Sequence, residues 1–267
     1  MKAKRSLGQN FLRTPSVAER MVAFARISSE DIVLEVGPGR GMLTRVLLRH
    51  ASRVIAVEKD DNFFDLLRDA FRDRDTLQLI HGDILGYDLS QLIKEGTKIV
   101  ANLPYNIATQ LIMRLVEHAQ RIASVVVMLQ REVAERICAR AGDKTYAALS
   151  VIVQAGFDAM PGFMVSPDNF SPRPKVDSQV IKLIPKASPI PPDDMELFRR
   201  VVWCCFSKRR KVLRNTLKDL PQMDQGHLEA IAEKAGISLR SRPQEISTEQ
   251  FHLISLAYGQ FIDGISL

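Results

Sequence analysis

The sequence predicts an α/β protein in which a doubly wound, mostly parallel sheet is followed by a small all-α domain. Over the first two thirds of the chain, short apolar runs rich in β-branched residues alternate with segments of helical periodicity. A proline-rich segment at 185–192 then interrupts the pattern, and beyond it the apolar spacing is only helical. We therefore expect a first domain at residues 1–185 and a second at residues 186–267.

The elements of the first domain follow in order. Thr14 is a candidate N-cap for an opening helix, with Pro15 at its first position. Helical spacing of Phe63, Leu66, Leu67 and Ala70 predicts a later helix between two strands. Continuous apolar runs predict strands at 32–36, 54–57, 77–80, 99–101 and 125–129, with further strands at the far edge at 149–155 and 178–184.

The second domain contains four predicted helices. The first begins near Asp193, the second covers 208–220, and the third covers 227–235. The fourth begins at Ser247, because Ser247 and Gln250 have the spacing of a capping box. These segments would form a compact helical unit after the proline-rich linker.

Charge is concentrated in two places. The chain has 37 basic and 31 acidic residues, a formal net charge of +6, which favours a polyanionic partner on composition alone. Residues 1–13 contain no acid, and neither do residues 199–218. The basic residues of the two segments are Lys2, Lys4, Arg5 and Arg13 in the first, and Arg199, Arg200, Lys208, Arg209, Arg210, Lys211, Arg214 and Lys218 in the second. We predict that these clusters are contact patches.

Several classes of function are disfavoured. The three cysteines form no C-x-x-C pair or even framework, which indicates a reducing, cytoplasmic location. No apolar segment has the length of a signal sequence core or a membrane span, so we expect no membrane association. The five histidines lack metal-ligand spacing, and no serine-hydrolase or zinc-protease motif is present, so we expect no metal.

Three successive strand ends carry residues that suit a nucleoside. Gly37 and Gly39 follow the first strand and permit close backbone approach, but Met42 stands where a dinucleotide fingerprint needs its third glycine. Glu58 ends the second strand, where an acid can bind ribose hydroxyls, and Asp83 follows the third, where it can accept an adenine amine. This set fits S-adenosylmethionine (SAM), which has a ribose and an adenine but a sulfonium in place of phosphates.

The segment Asn102-Leu103-Pro104-Tyr105 follows another predicted strand. The Asn102 side chain and the Leu103 carbonyl, in a backbone stiffened by Pro104, can accept two N–H bonds from an exocyclic amine. Tyr105 can stack on a planar base, and Phe170 is the candidate for its other face. Because adenine N6 is a weak nucleophile, such contacts would hold it against a methyl donor and favour a tetrahedral nitrogen.

The chain resembles the small-subunit rRNA adenine N6,N6-dimethyltransferases along nearly its whole length. The resemblance rests on Gly8-Gln9-Asn10-Phe11-Leu12, Glu35-Val36-Gly37-Pro38-Gly39-x-Gly41, Asn102-Leu103-Pro104-Tyr105-Asn106, Leu129-Gln130-Arg131-Glu132, Phe170-Ser171-Pro172-Arg173-Pro174-Lys175-Val176-Asp177-Ser178 and the basic segment 206–215. It implies a Rossmann-like SAM-dependent methyltransferase domain, a helical C-terminal domain, and methylation of two adjacent adenosines in a hairpin near the 3′ end of small-subunit rRNA. It also implies that SAM is held by Asn10, Leu12, Gly37, Glu58, Asp83 and Asn102.

The expected partner is therefore small-subunit rRNA in a pre-ribosomal particle, methylated by a monomer. We assign phosphate contacts to Lys208, Arg209, Arg210, Lys211 and Arg214. Two alternatives stay open: a related large-subunit rRNA adenine methyltransferase of the macrolide-resistance type, and a non-catalytic nucleic-acid-binding relative. The second is disfavoured because Gly37, Glu58, Asp83 and Asn102 are all present.

Overall fold

A computed structural model describes residues 10–187, 190–208 and 210–262. Its strands are β1 (Phe11–Leu12), β2 (Ile32–Val36), β3 (Arg53–Glu58), β4 (Leu77–His81), β5 (Thr97–Asn102), β6 (Ile122–Gln130), β7 (Phe157–Val165), β8 (Phe170–Ser171) and β9 (Ser178–Pro185). Its α-helices are α1 (Pro15–Ala25), α2 (Met42–Leu47), α3 (Asp61–Ala70), α4 (Leu89–Leu92), α5 (Ala108–Leu115), α6 (Arg131–Cys138), α7 (Ala148–Gln154), α8 (Met195–Phe206), α9 (Leu213–Leu217), α10 (Gln225–Ala235) and α11 (Thr248–Ile262). Within these ranges, no helix is both long enough and apolar enough to cross a bilayer.

The main sheet has seven strands in the order β4-β3-β2-β5-β6-β9-β7. The first five strands are parallel, and β9 is antiparallel to both of its neighbours, β6 and β7, which confirms the predicted α/β class. The chain builds outward from β2 on one side and then returns to add β5 on the other. The topological switch point therefore lies between β2 and β5, where such sheets bind ligands.

Helix α1 covers one face of this sheet as the sequence predicts. Pro15 occupies its first turn, and Val17, Met21 and Ala25 are buried on a single face of the helix. They pack in one apolar cluster with sheet residues that include Val33 and Val100. Helix α1 therefore covers one face of the sheet at β2 and β5, the two strands on either side of the switch point.

Of the two strands predicted at the sheet's far edge, the one at 178–184 is confirmed by β9, and the one at 149–155 is wrong. Residues 149–155, predicted as a strand, lie in helix α7; a short run that is apolar on every side does not distinguish a buried strand from a buried helix. The Ser150 side chain accepts a hydrogen bond from the Ala147 N–H (3.0 Å) at the start of this helix. The sequence pattern does not predict strand β7, because Pro161 and Gly162 weaken it, and the register of its pairing shifts between Pro161 and Met164.

The chain divides into two compact units, and the first is not contiguous. Of the described residues, 10–135 and 157–186 form one unit, whereas 136–156 group with those from 187 onward, a division that differs from the predicted single span 1–185. Side-chain contacts explain the grouping. The Tyr146 hydroxyl donates to the Ile246 carbonyl (3.1 Å), and its ring lies 6.2 Å from that of Phe206.

The helical unit follows the prediction except in its second helix. The predicted helix at 208–220 shrinks to α9, because the N–H groups of Leu213 and Arg214 donate to the carbonyls of Ser241 (2.8 Å) and Leu239 (3.0 Å) instead of continuing a helix from Lys208. The capping box is confirmed: Ser247 and Gln250 bond each other's backbone N–H, both at 3.1 Å.

Candidate active site

An open cleft of about 650 Å³ lies at the carboxyl edge of the sheet, at the switch point between β2 and β5. It is lined by Asn10, Phe11, Leu12, Glu35, Gly37, Pro38, Gly39, Arg40, Met42, Leu43, Glu58, Asn102, Leu103, Pro104 and Tyr105. An adjoining cavity of about 460 Å³ shares Gly37, Glu58 and Pro104 with it and extends to Gly82 and Asp83. The structure thus brings the strand-end residues predicted from the sequence to one continuous recess.

The glycine loop between β2 and α2 depends on backbone conformations that favour glycine. Gly37, Gly39 and Gly41 have φ values of +67°, +56° and +74°. A Cβ on Gly39 would lie 2.8 Å from the Phe11 ring, so a side chain there collides with the N-terminal segment. The loop therefore presents its backbone to the cleft.

Glu58 is fixed by two backbone hydrogen bonds. Its Oε2 accepts from the Gly39 N–H (2.9 Å) and its Oε1 from the Asp60 N–H (2.8 Å). Burial raises the pKa of Glu58, while these two bonds oppose that effect. A carboxylate has about four lone-pair positions, so each oxygen can accept a further bond from a ligand hydroxyl.

Glu35 is a second buried carboxyl of the cleft, for which the sequence pattern predicts no role. Burial raises its pKa to about 8, and the charge of Glu58 contributes in the same direction. Its Oε2 has no hydrogen-bond partner among the described residues. The side chain is thus a neutral acid at neutral pH, buried beneath the glycine loop. Only its place just before the glycine loop could have indicated this.

Asp83 lies in the adjoining cavity and is already paired. Its Oδ2 lies 2.6 Å from the Lys59 ammonium, and its Oδ1 accepts from the Leu85 N–H (3.0 Å). The hydrogen bond from Lys59 holds the pKa of Asp83 below its usual value. Lys59 is not among the predicted site residues, although it directly follows Glu58 in the sequence.

The segment after β5 is tied to its surroundings by two side chains. The Asn102 amide donates from Nδ2 to the Asn10 carbonyl (3.0 Å), so its Oδ1 is the atom that remains to accept. The Tyr105 hydroxyl lies 2.7 Å from Ser178 Oγ, and burial raises the pKa of the phenol. Leu103 is buried, and it is one of the residues that line the cleft.

Phe170 is not brought to the cleft. It is 2% exposed and packs in the apolar cluster with Val17 and Met21. Its backbone pairs with Leu12 of the N-terminal segment in the small β1–β8 sheet. The predicted stacking surface is therefore core in this conformation. Its burial follows from a strand pairing that spans about 160 residues and leaves no local sequence signal.

The basic residues of the helical unit fall into those with a side-chain partner and those without an ion pair. Lys208 pairs with Asp219 (2.6 Å), and Arg214 donates to Gln225 (3.0 Å). Arg210 and Lys211 are exposed and form no ion pair within the described part of the chain. Arg209 and the N-terminal Lys2, Lys4 and Arg5 lie outside the described residues. The same described ranges contain no cluster of three or more metal-ligating side chains.

Sequence comparisons match nearly the whole chain. Residues 1–260 match the family described as ribosomal RNA adenine dimethylase. A ribosomal RNA small subunit methyltransferase A of Clostridium botulinum is 41% identical over 257 residues, covering 95% of this chain and 93% of the relative. The protein of the same name from Geobacter metallireducens is 39% identical over 264 residues, covering 96% of each.

Solved structures extend the match to the fold. A dimethyladenosine transferase from Plasmodium falciparum aligns with a TM-score of 0.79 at 26% identity, covering 94% of this chain and 98% of the other. The 23S rRNA methyltransferase ErmE aligns with a TM-score of 0.70 at 26% identity, covering 94% and 100%.

Proposed function

The chain belongs to the ribosomal RNA adenine dimethylase family, and we propose that it dimethylates the N6 amines of two adjacent adenosines in a hairpin near the 3′ end of small-subunit rRNA. The relatives named for the small subunit are 41% and 39% identical over nearly the full length, which supports this substrate over the large subunit. The observation that carries the proposal is the cleft that joins the glycine loop, Glu58 and the segment 102–105. The enzyme would act as a cytoplasmic monomer on pre-ribosomal small subunits.

The two joined cavities fit SAM. Glu58, which lines both, would accept the ribose hydroxyls, and the cavity beside Lys59 and Asp83 would receive the adenine. The amino-acid end would lie by the Gly37 and Gly39 backbone, near Asn10 and Leu12. The buried carboxylate of Glu58 and the lack of a phosphate-binding motif in the glycine loop favour a ligand with a positive centre over a pyrophosphate. When bound, SAM supplies an electrophilic methyl group.

The segment 102–105 would position the target base. We assign one N6 hydrogen to Asn102 Oδ1 and the other to the Leu103 carbonyl, which draws the nitrogen toward a tetrahedral geometry. The hydrogen bond that holds Asn102 Nδ2 fixes which amide atom faces the amine. Tyr105 would stack on the base, with its ring held by Ser178.

No side chain of the segment is required as a strong base. Once methylated, the N6 nitrogen is acidic enough to lose its proton to water. Burial raises the pKa of Tyr105, so its hydroxyl stays protonated at neutral pH and does not take that proton. The role of the site is to hold and orient the amine.

The substrate is tested by methyl transfer from radiolabelled SAM to under-methylated small subunits, large subunits and naked rRNA. We expect label at adjacent adenines of the small subunit. Label confined to large subunits would establish the macrolide-resistance type of activity, and no label with any substrate, despite SAM binding, would support a non-catalytic relative. Calorimetry that detects tight NAD binding and no SAM binding would overturn the cofactor.

Asn102→Ala tests the chemistry of the cleft. Removing the amide should lower methyl transfer by about two orders of magnitude or more, because its oxygen acts on the reacting nitrogen. The melting temperature should change little, since Asn102 is only partly buried at a strand end. Asn62→Ala, an exposed position on α3, is the matched control and should keep full activity. Equal activity per folded molecule in both variants would make Asn102 structural.

A further inference from the structure

The helical unit exposes the only tryptophan of the chain. Trp203 is 51% exposed on the outer face of α8, whereas the helix residues Phe198, Val202 and Phe206 are buried. It forms no ring stacking or cation–π contact within the described residues. The half-exposed indole offers a flat face on which a planar group of a partner can stack.

The surroundings of Trp203 are cationic. Arg200 lies three residues earlier on the same exposed face of α8, and Arg210 and Lys211 follow shortly after the helix ends. No acid occurs between residues 199 and 218. The nearest acid on that face is Glu196, about two helical turns before Trp203. Asp219 acts on the neighbouring Cys204 but is paired with Lys208 (2.6 Å), so a partner that contacts the ring has Arg200 before it and Arg210 and Lys211 after it in the sequence as cations without an ion pair in the described part of the chain.

An aromatic ring between cations matches single-stranded nucleic acid. A strand offers phosphates to the cations and a flat base to the ring, and stacking tolerates any base. An apolar protein surface would leave Arg200, Arg210 and Lys211 without counter-charges, which disfavours a protein partner. The charge pattern therefore selects RNA.

We propose that Trp203 stacks on an unpaired base of the small-subunit rRNA while Arg200, Arg210 and Lys211 contact the phosphates of the same strand. The proposal rests on the proposed function, since it adds a docking contact for the same RNA. It also makes the basic cluster a site with a defined aromatic centre rather than a diffuse positive surface.

Binding of the full-length protein to small subunits tests the stack. Trp203→Ala should weaken binding roughly 5- to 100-fold, and Trp203→Phe should retain most of the affinity, because both rings can stack. Leu256→Ala is the matched control: Leu256 is 40% exposed on α11 of the same unit, and its removal should leave binding unchanged. Unchanged binding by Trp203→Ala would overturn the proposal.

The salt dependence separates stacking from charge. A stacked base releases no counterion, so Trp203→Ala should reduce the affinity by the same factor at about 50 and about 200 mM salt. Arg210→Gln should instead reduce the slope of affinity against salt. A defect in Trp203→Ala that disappears at higher salt would mean that the ring only supports nearby cations, and would overturn the stack.

Intrinsic fluorescence identifies the partner, because Trp203 is the sole tryptophan. Protein-free small-subunit rRNA should quench the emission and shield it from acrylamide. Weaker subunit binding by Trp203→Ala without quenching by naked rRNA would point to a ribosomal protein and overturn the proposal. Methyl transfer by the wild type to small subunits is measured in parallel. If it is present while quenching is absent, only this inference fails; if it is absent, the proposed function fails.

Discussion

At the scale of single residues, the cleft holds two neighbouring carboxyls in different environments. Both oxygens of Glu58 accept backbone N–H bonds, which stabilise its charged form. Glu35 has one oxygen without a partner among the described residues and a pKa raised to about 8 by burial. The field of Glu58 adds to that shift, so the pair favours a single negative charge over two. The recess thus has an anionic centre without the repulsion of two buried charges.

Glu35→Gln should flatten the dependence of stability on pH. In the unfolded chain Glu35 loses its proton near its ordinary pKa of 4.5, whereas the folded protein retains it up to about 8. The folded state therefore binds more protons over this interval, and wild-type stability should fall as pH rises through it. Melting temperatures measured from about pH 5 to about pH 9 should show a smaller fall in Glu35→Gln. Glu30→Gln, at an exposed position, should follow the wild type; parallel curves for all three proteins would contradict the assignment.

Phe170→Ala should be a stability variant. The ring is fully buried, and truncating such a side chain leaves a cavity that destabilises by roughly 3–5 kcal/mol. Thermal or urea unfolding measures the effect. Phe170→Leu keeps most of the apolar volume and separates the two roles: it should fold, and lower turnover at unchanged stability would show that the ring also reaches the base. A wild-type melting temperature for Phe170→Ala would contradict the core position.

At the scale of elements, the glycine loop needs glycine for two reasons: the local backbone conformation and the close approach of a distant residue. Gly39 needs a left-handed conformation, donates its N–H to Glu58, and leaves room for the Phe11 ring. Gly39 therefore connects the loop after β2, the end of β3 at Glu58 and the N-terminal segment at Phe11. Of these contacts, the approach of the Phe11 ring is the one that excludes a side chain at position 39.

Gly39→Ala should damage the cleft more than a simple glycine penalty. An alanine there meets both the cost of a positive φ, about 1–2 kcal/mol, and a collision with Phe11. SAM affinity and melting temperature should both fall. Gly96→Ala is the control, because Gly96 has φ +78° but nothing within 4 Å of a Cβ, so it isolates the conformational cost. Equal effects in the two variants would show that the contact with Phe11 is unimportant.

The sequence predicts elements well where one local signal dominates. The buried parallel strands follow from continuous β-branched runs, and α11 begins at its capping box. Strand β7 contains Pro161 and Gly162, and only its pairing with β9 makes it a strand. Similarly, the prolines near Phe170 in the sequence predict a position at the site. Its burial depends instead on the pairing with Leu12, far away in the chain. Local patterns do not contain those partners.

At the scale of the whole molecule, formal charge and available charge differ. The net charge of +6 includes many basic groups that are already paired, such as Arg49 with Glu19 and Lys98 with Asp31. In the basic cluster, Lys208 is likewise held by Asp219. The exposed cations of that cluster with no ion pair in the described residues are Arg200, Arg210, Lys211, Arg214 and Lys218, so we expect them to supply most of its contribution to RNA binding.

Replacing Arg210 and Lys211 together with Gln should weaken subunit binding and flatten its dependence on salt. For each phosphate that the variant no longer neutralises, the slope of log affinity against log salt should fall by roughly 0.7 to 0.9, because fewer counterions are released. Filter binding over a range of salt measures the slope. Lys234→Gln is the control, since the Lys234 ammonium is held by Gln260 (2.8 Å) in the same unit. The affinity for SAM should not change in either protein, because the cavities assigned to it are lined only by residues of the first unit. An unchanged slope in the double variant would mean that these cations remain solvated when the subunit binds, and that the electrostatic contact with rRNA is made by other basic residues.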